Sequence, residues 1–411
     1  MHYLTIKETA EKWGVSPRSV QTLCQNGLVD GVFKWGRSWK IPADAEKPAD
    51  KRTKKGKIDS NAMKMPRKTP FLSLTNLYHT PGKADECATA LEGNMEAKML
   101  FEAEIAYSRG EIDKVYAVSD YFLNSHTGFY AVIAGGMLLS LCAMWYGDID
   151  MWSKAKTHIS EAPCRNDIDH ELIHLSHAAA DSSIRNHADF PEWFKRGCFE
   201  FLPADAHPAA RVFYLKYLLE FAFEVALGKS KMDNVSGVGF MKTLPYVAEP
   251  MIAQAMVDKS VLEELYLRLT IGVVYHNIGD TKMAGKHIDR AVEIALADGL
   301  YGTLAEYRRM LGYYLDDKIA AADKEALKKY KELHKQISEG WHKLHNTIMD
   351  KTVAIQLTHR EREVAVLASF GFSNMEIAGK LGISISSVKS VISMAMNKTG
   401  AQNRYEFANY L

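Results

Sequence analysis

Hydrophobic positions recur at intervals of three and four residues along most of the chain, which predicts helices rather than strands. The pattern is clearest in residues 357–411, where hydroxyl residues and glycines mark the starts and ends of four short helices. Thr358 with Glu361, and Ser373 with Glu376, form two S/T-x-x-E capping boxes, in which side chains satisfy the first free backbone N–H groups of a helix. The central two helices are joined by a tight turn.

The second helix of this pair, residues 384–399, has one apolar and one polar face. Val388, Ile392 and Ala395 lie on the apolar face, and Lys389 lies at its edge. The polar face fits the major groove of DNA, because hydroxyl and amide groups reach base edges there and a lysine reaches phosphate or guanine. The residues predicted to contact DNA are Ser384, Ser386, Ser387, Lys389, Ser390, Ser393 and Asn397.

The motifs L-T-x-R-E-x-E, S-N-x-E-I-A and V-K follow one another in this segment, which resembles the LuxR-type DNA-binding domain that ends many bacterial transcription regulators. The resemblance implies a four-helix domain over residues 352–411, with residues 384–399 as the recognition helix. It also implies that the last helix, residues 403–410, helps to pair two copies. Val391 and Met394 depart from the family pattern, which usually has His and often Asn there. The alternative is a helical bundle that keeps the pattern without binding DNA.

A different pattern occupies residues 3–42, where two short helices precede two strands. A capping box beginning at Thr5 starts the first helix, and Ser16 followed by proline starts the second. Two short runs after these helices predict strands joined by a two-residue turn that exposes Arg37.

This order of elements, with the motifs Y-L-T-x-x-E-x-A, G-V-S-x-x-S-V and G-R-x-W-x-I-P, resembles the excisionase-like, MerR-related winged helix-turn-helix. The resemblance covers residues 1–45 and implies base contacts from the second helix and phosphate contacts from the wing. The residues concerned are Arg18, Ser19, Thr22, Arg37 and Lys40. Small modules of this kind also dock proteins, and this alternative stays open.

Charge is distributed unevenly, although the formal net charge is only +1. Residues 1–57 contain twelve Lys and Arg against six Asp and Glu, and residues 351–411 contain seven against four. The stretch between them is acidic, so positive charge is concentrated at the two ends, where DNA is expected. Residues 46–70 are predicted to be a basic flexible linker, which acts as a tether or adds affinity for phosphate.

Helical periodicity dominates residues 71–320. Turn signals recur roughly every forty residues, which predicts an array of helical hairpins that binds peptides, proteins or small ligands. Residues 265–298 resemble a tetratricopeptide repeat (TPR). The matching small and bulky positions are Gly272, Tyr275, Ala284, Ile288 and Ala291. The predicted fold class is therefore mainly α, with a TPR-like body between a winged helix-turn-helix and a four-helix LuxR-type domain.

Residues 128–147 form an uncharged, mostly apolar run that is long enough to cross a membrane. Gly135 and Gly136 interrupt the run, and acidic rather than basic residues flank it. A single span would also separate the two DNA-binding candidates, so the run is interpreted as a buried helix, with a span as the alternative. Five scattered cysteines and the polar beginning of the chain favour a cytoplasmic protein.

His170, His174 and His177, with Asp181, lie on one face of a predicted helix, and this spacing could hold zinc or another cation. Exposed histidines without a metal are the simpler interpretation, so no metal and no cofactor are predicted. No further pattern of carboxylates and histidines completes a catalytic site. The tract at residues 228–230 lacks the first glycine of a phosphate loop. An enzyme is therefore not expected.

Residues 321–351 are predicted to form a helix that connects the body to the C-terminal domain. Its apolar seam either packs back on the repeats or pairs two copies, and Gly340 weakens a long coiled coil. The predicted function is that of a cytoplasmic bacterial transcription regulator, which binds double-stranded DNA and pairs as a homodimer. A signal ligand or a protein partner at the repeat domain controls it. The alternative is a TPR-like adaptor whose small modules dock protein partners.

Overall fold

The computed structural model describes residues 3–25, 29, 31–35, 38–48, 78–91, 93–226, 237–349, 357, 359–399 and 401–409. The chain divides into two compact units, Met1–Ser60 and Asn61–Leu411. Several features predicted from the sequence lie outside the described residues. They are Arg37 and the turn around it, most of the basic linker, the tract at residues 228–230, the cap at Thr358 and the side chain of Asn397.

The first unit combines two helices with a small sheet. Its elements are β1 (Tyr3–Leu4), α1 (Ile6–Trp13), α2 (Pro17–Gln25), β2 (Phe33–Trp35) and β3 (Ser38–Pro42). The three strands are antiparallel, and β3 lies between β1 and β2. A small core forms beneath the helices, where Val20, Cys24 and Ile41 are buried.

Local signals in the sequence predicted most of this unit. The predicted capping box is present, because Glu8 N–H donates to the Thr5 hydroxyl (3.4 Å) and Thr5 N–H donates to the Glu8 carboxylate (2.7 Å). Gly14 ends α1 with a left-handed φ of 63°. Strand β1 was not predicted, because two residues show no alternation of their own and become a strand only by pairing with β3.

The second unit is helical throughout the part that the structure describes, so a mainly helical fold class is confirmed. The helices of its body are α3 (Ala84–Ala90), α4 (Met95–Arg109), α5 (Ile112–Ser125), α6 (Phe129–Tyr146), α7 (Ile149–Ser160), α8 (Asp167–Ser183), α9 (Glu192–Lys195), a 3-10 helix (Ala204–Ala206), α10 (His207–Ala226), α11 (Gly237–Met241), α12 (Leu244–Val257), α13 (Val261–Ile278), α14 (Thr281–Ala297), α15 (Tyr301–Leu311), α16 (Tyr313–Ala322) and α17 (Lys324–Met349). The C-terminal segment adds α18 (His359–Ser369), α19 (Asn374–Leu381), α20 (Ile385–Thr399) and a 3-10 helix (Arg404–Asn409).

Helices α13 and α14 form the hairpin that resembles a tetratricopeptide repeat. A Cβ placed on Gly272 would lie 2.3 Å from the Cδ1 of Ile288, so the glycine lets the two helices approach closely. The Tyr275 ring stacks on His287 with 5.4 Å between centroids. Gly272 and Ile288, two positions of the repeat pattern, therefore meet across this hairpin, and the assignment of the body to the TPR class stays a prediction.

The apolar run at residues 128–147 forms α6, which is long and apolar enough to span a membrane by length and composition. Within its most apolar stretch, 83% of the helix is buried inside the protein. A Cβ on Gly135 would lie 2.8 Å from the Leu123 side chain, and one on Gly136 would lie 2.9 Å from Ile159. The two glycines thus admit neighbouring helices, and α6 is a core helix, as the sequence predicted.

Helix α17 packs back on the body rather than leaving its seam free. Tyr330, Ile337, Trp341 and Leu344 are buried, and the helix contacts α6 and α15. Gly340 has a structural reason, because a Cβ there would lie 2.0 Å from the carbonyl oxygen of Trp145. Of the two predicted uses of this seam, the structure shows docking within the chain.

Candidate nucleic-acid interface

The candidate interface is built on α19, a tight turn and α20. Gly382 ends α19 with a left-handed φ of 61°. The Ser384 hydroxyl accepts a hydrogen bond from the Ser387 N–H (3.0 Å), which caps α20. The same hydroxyl lies 2.7 Å from the Ser386 hydroxyl and 2.8 Å from that of Ser387. Three predicted contact residues therefore form one hydrogen-bonded group at the start of the recognition helix.

Helix α20 has the two faces that its sequence predicts. Val388 and Ala395 are fully buried and Ile392 nearly so, and they pack with residues of α18, α19 and the last 3-10 helix. The predicted contact residues whose side chains are described all face solvent. They are Ser384, Ser386, Ser387, Lys389, Ser390 and Ser393. We call this exposed surface of α20 the polar ridge.

The two positions that depart from the family pattern lie in different environments. Val391 is partly buried and packs against the domain core. Met394 is exposed on α20, with 44% of its surface accessible. The first substitution therefore adds to the packing of the domain, whereas the second adds an apolar side chain to the surface of α20.

The segments next to α20 are held by side-chain hydrogen bonds. Ser373 and Glu376 form the second predicted capping box at the start of α19. The Arg404 guanidinium donates to the Phe372 carbonyl (3.2 Å) and to the Asn374 side chain. The last helix was predicted over residues 403–410, but it is a 3-10 helix, Arg404–Asn409. The segment has six residues, and 3-10 geometry is common in short pieces of this kind.

Two of the basic residues in this domain face the helical body instead of the polar ridge. The Lys380 ammonium donates to the Asn277 carbonyl oxygen (3.0 Å). The Arg362 guanidinium donates to the Nε2 of His342 (2.9 Å). Among the Lys and Arg side chains described in this domain, Lys389 is the exposed one. The positive charge counted in the sequence is thus only partly available to DNA.

A contact between two aromatic rings also joins the C-terminal domain to the helical body. The Phe370 ring lies 4.9 Å from the Phe223 ring on α10, measured between centroids. The residues that dock the domain come from α18, the turn after it and α19, whereas the polar ridge on α20 remains exposed. These pairs were not predictable from local sequence patterns, because their partners lie far away along the chain.

In the first unit, α2 carries the other predicted contacts. Arg18, Ser19 and Thr22 are exposed, and Lys40 on β3 is partly exposed. Lys34 on β2 was not predicted as a contact, but it is exposed and lies 5.7 Å from the Trp39 ring centroid. Its sequence signal is a cation between two aromatic residues in a strand. The exposed face of α2 is consistent with the predicted role of this helix.

The candidate metal site has a different membership from the one predicted. His170, Glu171 and His174 place their ligand atoms within 4.8 Å of one another. One Glu171 oxygen accepts a hydrogen bond from the Trp193 indole (2.7 Å) and lies 3.0 Å from the His174 Nδ1. These contacts give Glu171 a role in holding α8 to the segment around Trp193, and the prediction that no metal binds remains a prediction.

His177 and Asp181, which were grouped with the other histidines, have other partners. The Nε2 of His177 lies 3.0 Å from the Ser160 hydroxyl, and the Lys156 ammonium donates to the Asp181 carboxylate (2.6 Å). Burial lowers the pKa of His177 to about 4. Helix α7 covers this part of α8, and helical periodicity alone does not reveal which face a neighbour covers.

Comparisons with known proteins agree with the geometry of the C-terminal domain. Residues 355–411 match the family model GerE, described as bacterial regulatory proteins of the luxR family. No curated protein and no solved structure gives a significant match to the chain. The matched region contains the capped α19, the turn and α20 with its exposed polar ridge. The C-terminal domain is therefore a LuxR-family helix-turn-helix domain, which supports a DNA-binding transcription regulator.

Proposed function

We propose that the chain is a cytoplasmic bacterial transcription regulator that binds duplex DNA through α20 and is controlled by its helical body. The observation that carries this proposal is the exposure of the polar ridge while the domain is docked on the body. The docked state leaves the helix available to the major groove. An enzymatic role is not part of the proposal.

The polar ridge supplies two kinds of contact. Hydroxyl groups of Ser386, Ser390 and Ser393 hydrogen-bond base edges or phosphates, and Lys389 adds a charged contact. The start of α20 also favours phosphate, because the free N–H groups and the helix dipole at an N-terminus attract anions. Because the domain exposes so few cations, one domain alone binds DNA weakly. Selectivity therefore needs a second DNA-binding module.

In our proposal, the N-terminal unit is this second DNA-binding module. Its exposed α2 residues, together with Arg37 and Lys40, are the residues expected to contact DNA. A tethered module binds at high effective concentration once the first has bound. Pairing of two chains through their C-terminal domains would multiply this effect and favour inverted half-sites.

Control runs through the junction between the body and the C-terminal domain. The contacts of Arg362 with His342, Lys380 with Asn277, and Phe370 with Phe223 tie the position of α18 and α19 to that of the body. A signal that changes the body would alter the orientation or freedom of α20, since a ligand shifts such an equilibrium by its different affinity for the two states.

Selection of duplex fragments from a random pool, using the whole protein, tests this function. We expect an enriched sequence motif with the wild type. Ser393→Ala should relax the preference at one position, because a missing base contact typically costs about 1–3 kcal/mol there. Ser153→Ala, which changes an exposed serine on α7, should select the wild-type motif. If the wild type enriches no sequence, the adaptor function is favoured instead.

A further inference from the structure

The helical body contains a cavity close to the docked C-terminal domain. Its walls come mainly from α8, α10, α15 and α17. The cavity has a volume of about 70 Å³. Because one water needs roughly 10–15 Å³ by this measure, the cavity accommodates about five to seven non-hydrogen atoms. It is therefore suited to a small molecule rather than to a peptide.

Charged residues in the wall are unequally paired. Arg185 pairs with Glu220 (2.8 Å), and Lys216 lies 3.6 Å from the Glu306 carboxylate. Arg309 has no carboxylate within ion-pair distance among the described residues, and its Nη1 is shielded from solvent without a hydrogen-bond partner there. A shielded guanidinium nitrogen without a hydrogen bond is unusual at a cavity wall, because it loses its hydration and gains no hydrogen bond in return.

The surroundings of Arg309 hold it in place and add further positive charge. Its guanidinium lies 3.6 Å from the centroid of the Trp341 ring. Burial, and then the charge of Arg185, push the pKa of Arg309 well below its usual value despite the opposing effect of Glu220, and Arg362 lowers it further. Burial and the same Arg185 lower the pKa of Arg362 to about 10. The cluster thus has more positive charge than its carboxylates balance.

We propose that this cavity binds a small organic monocarboxylate, whose carboxylate pairs with Arg309 and whose apolar part packs on Leu219, Met310 and Ile337. A guanidinium presents two parallel N–H groups that match a carboxylate. The three apolar residues line the same cavity. Glu220 and Glu306 also line it and disfavour a dianion, which argues against phosphate.

This proposal deepens the proposed function, because the carboxylate would be the signal that the body receives. Helix α17 carries both Trp341, which contacts Arg309, and His342, which contacts Arg362 of the C-terminal domain. An anion on Arg309 would reduce the repulsion felt by Arg362 and so strengthen the docking of α18. Binding of the carboxylate itself requires no DNA.

Thermal melting of the full chain tests the proposal. The additives are a series of monocarboxylates from acetate to pentanoate, with butyramide as an uncharged counterpart of butyrate and inorganic phosphate as a second anion. At tenfold excess over the dissociation constant we expect the melting temperature to rise by about 2 °C with the best carboxylate. Butyramide and phosphate should leave it unchanged.

Arg309→Gln should abolish the rise, whereas Arg196→Gln, at an exposed arginine outside the cavity, should preserve it. If Arg309→Gln does not fold, Arg309→Lys replaces it, and calorimetric titration should show carboxylate binding weakened about tenfold, since lysine lacks the planar fork. No rise with any of the carboxylates, an equal rise with butyramide or phosphate, or a full response in the Arg309 variant would overturn the proposal. None of these measurements uses DNA, so their failure leaves DNA binding untouched.

Discussion

The Nη2 of Arg362 lies 2.9 Å from the Nε2 of His342, and this bond joins the DNA-binding domain to the connecting helix α17. The Nδ1 of His342 contacts the Ser338 carbonyl oxygen (2.5 Å), so Nδ1 carries the proton and Nε2 is the acceptor. Burial, and then the charges of Arg362 and Arg309, lower the pKa of His342 to about 3. The hydrogen bond from Arg362 therefore persists for as long as the His342 ring stays neutral.

The first prediction concerns stability at mildly acidic pH. The unfolded chain takes up a proton at His342 below about pH 6.5, whereas the folded chain does so only near pH 3, so stability falls as pH decreases between these values. Between pH 7 and 5.5 this residue should account for a loss of about 1 kcal/mol in the free energy of unfolding. Urea unfolding of His342→Gln should show a pH dependence that is shallower by this amount. His170→Gln, at an exposed ring, serves as the control and should behave as the wild type. Equal slopes in wild type and His342→Gln would rule out this role.

The second prediction concerns docking through Lys380. Lys380→Met keeps the aliphatic stem near Phe372 but removes the ammonium that donates to the Asn277 carbonyl. We expect the free energy that favours docking of the C-terminal domain on the body to fall by about 1 kcal/mol, because the hydrogen bond is charged but only partly buried. Amide hydrogen exchange in α18 and α19 should then quicken about fivefold by mass spectrometry. Lys389→Met, at an exposed lysine on the polar ridge, should leave the exchange unchanged. Unaltered exchange in Lys380→Met would show that this bond does not hold the domain.

The third prediction concerns the contact between α17 and α6. A Cβ at position 340 would meet backbone atoms of Trp145, at 2.0 Å from its oxygen and 2.5 Å from its carbonyl carbon. No side-chain rotation relieves a backbone clash, so Gly340→Ala should lower the free energy of unfolding by about 3 kcal/mol or more. Gly379→Ala on α19, where no neighbour lies within 4 Å, should instead be neutral or stabilise by up to about 1 kcal/mol. A Gly340→Ala protein as stable as the wild type in urea would contradict the close packing of these helices.

Local chemistry explains what the sequence predicted correctly. The capping boxes at Thr5 and Ser373 and the glycines at positions 14 and 382 affect only a few neighbouring residues. The helix ends that they form are therefore predictable from a short stretch of sequence. The same holds for α20, whose two faces follow from spacing alone. The polar ridge was therefore located from the sequence.

Partners far apart in the chain were not predictable in this way. The sequence analysis counted Arg362 and Lys380 among the positive charges available to DNA. In the fold, however, Arg362 donates a hydrogen bond to His342 and Lys380 donates one to the Asn277 carbonyl. The cluster on α8 gained Glu171 and lost His177 because α7 covers one side of the helix. Arg309 gave no signal at all, since an arginine becomes unusual only when its surroundings leave it unpaired.

The most direct test of the central claim, that the polar ridge of α20 grips a duplex, is the salt dependence of DNA affinity measured by fluorescence anisotropy with the full chain. We predict that affinity falls steeply with added salt and that Lys389→Ala weakens binding to all sequences and makes the slope of log affinity against log salt shallower by about 1. Lys282→Ala, at an exposed lysine on the body, should keep both values. Binding that ignores salt, or a Lys389→Ala protein that binds DNA as the wild type does, would contradict the claim.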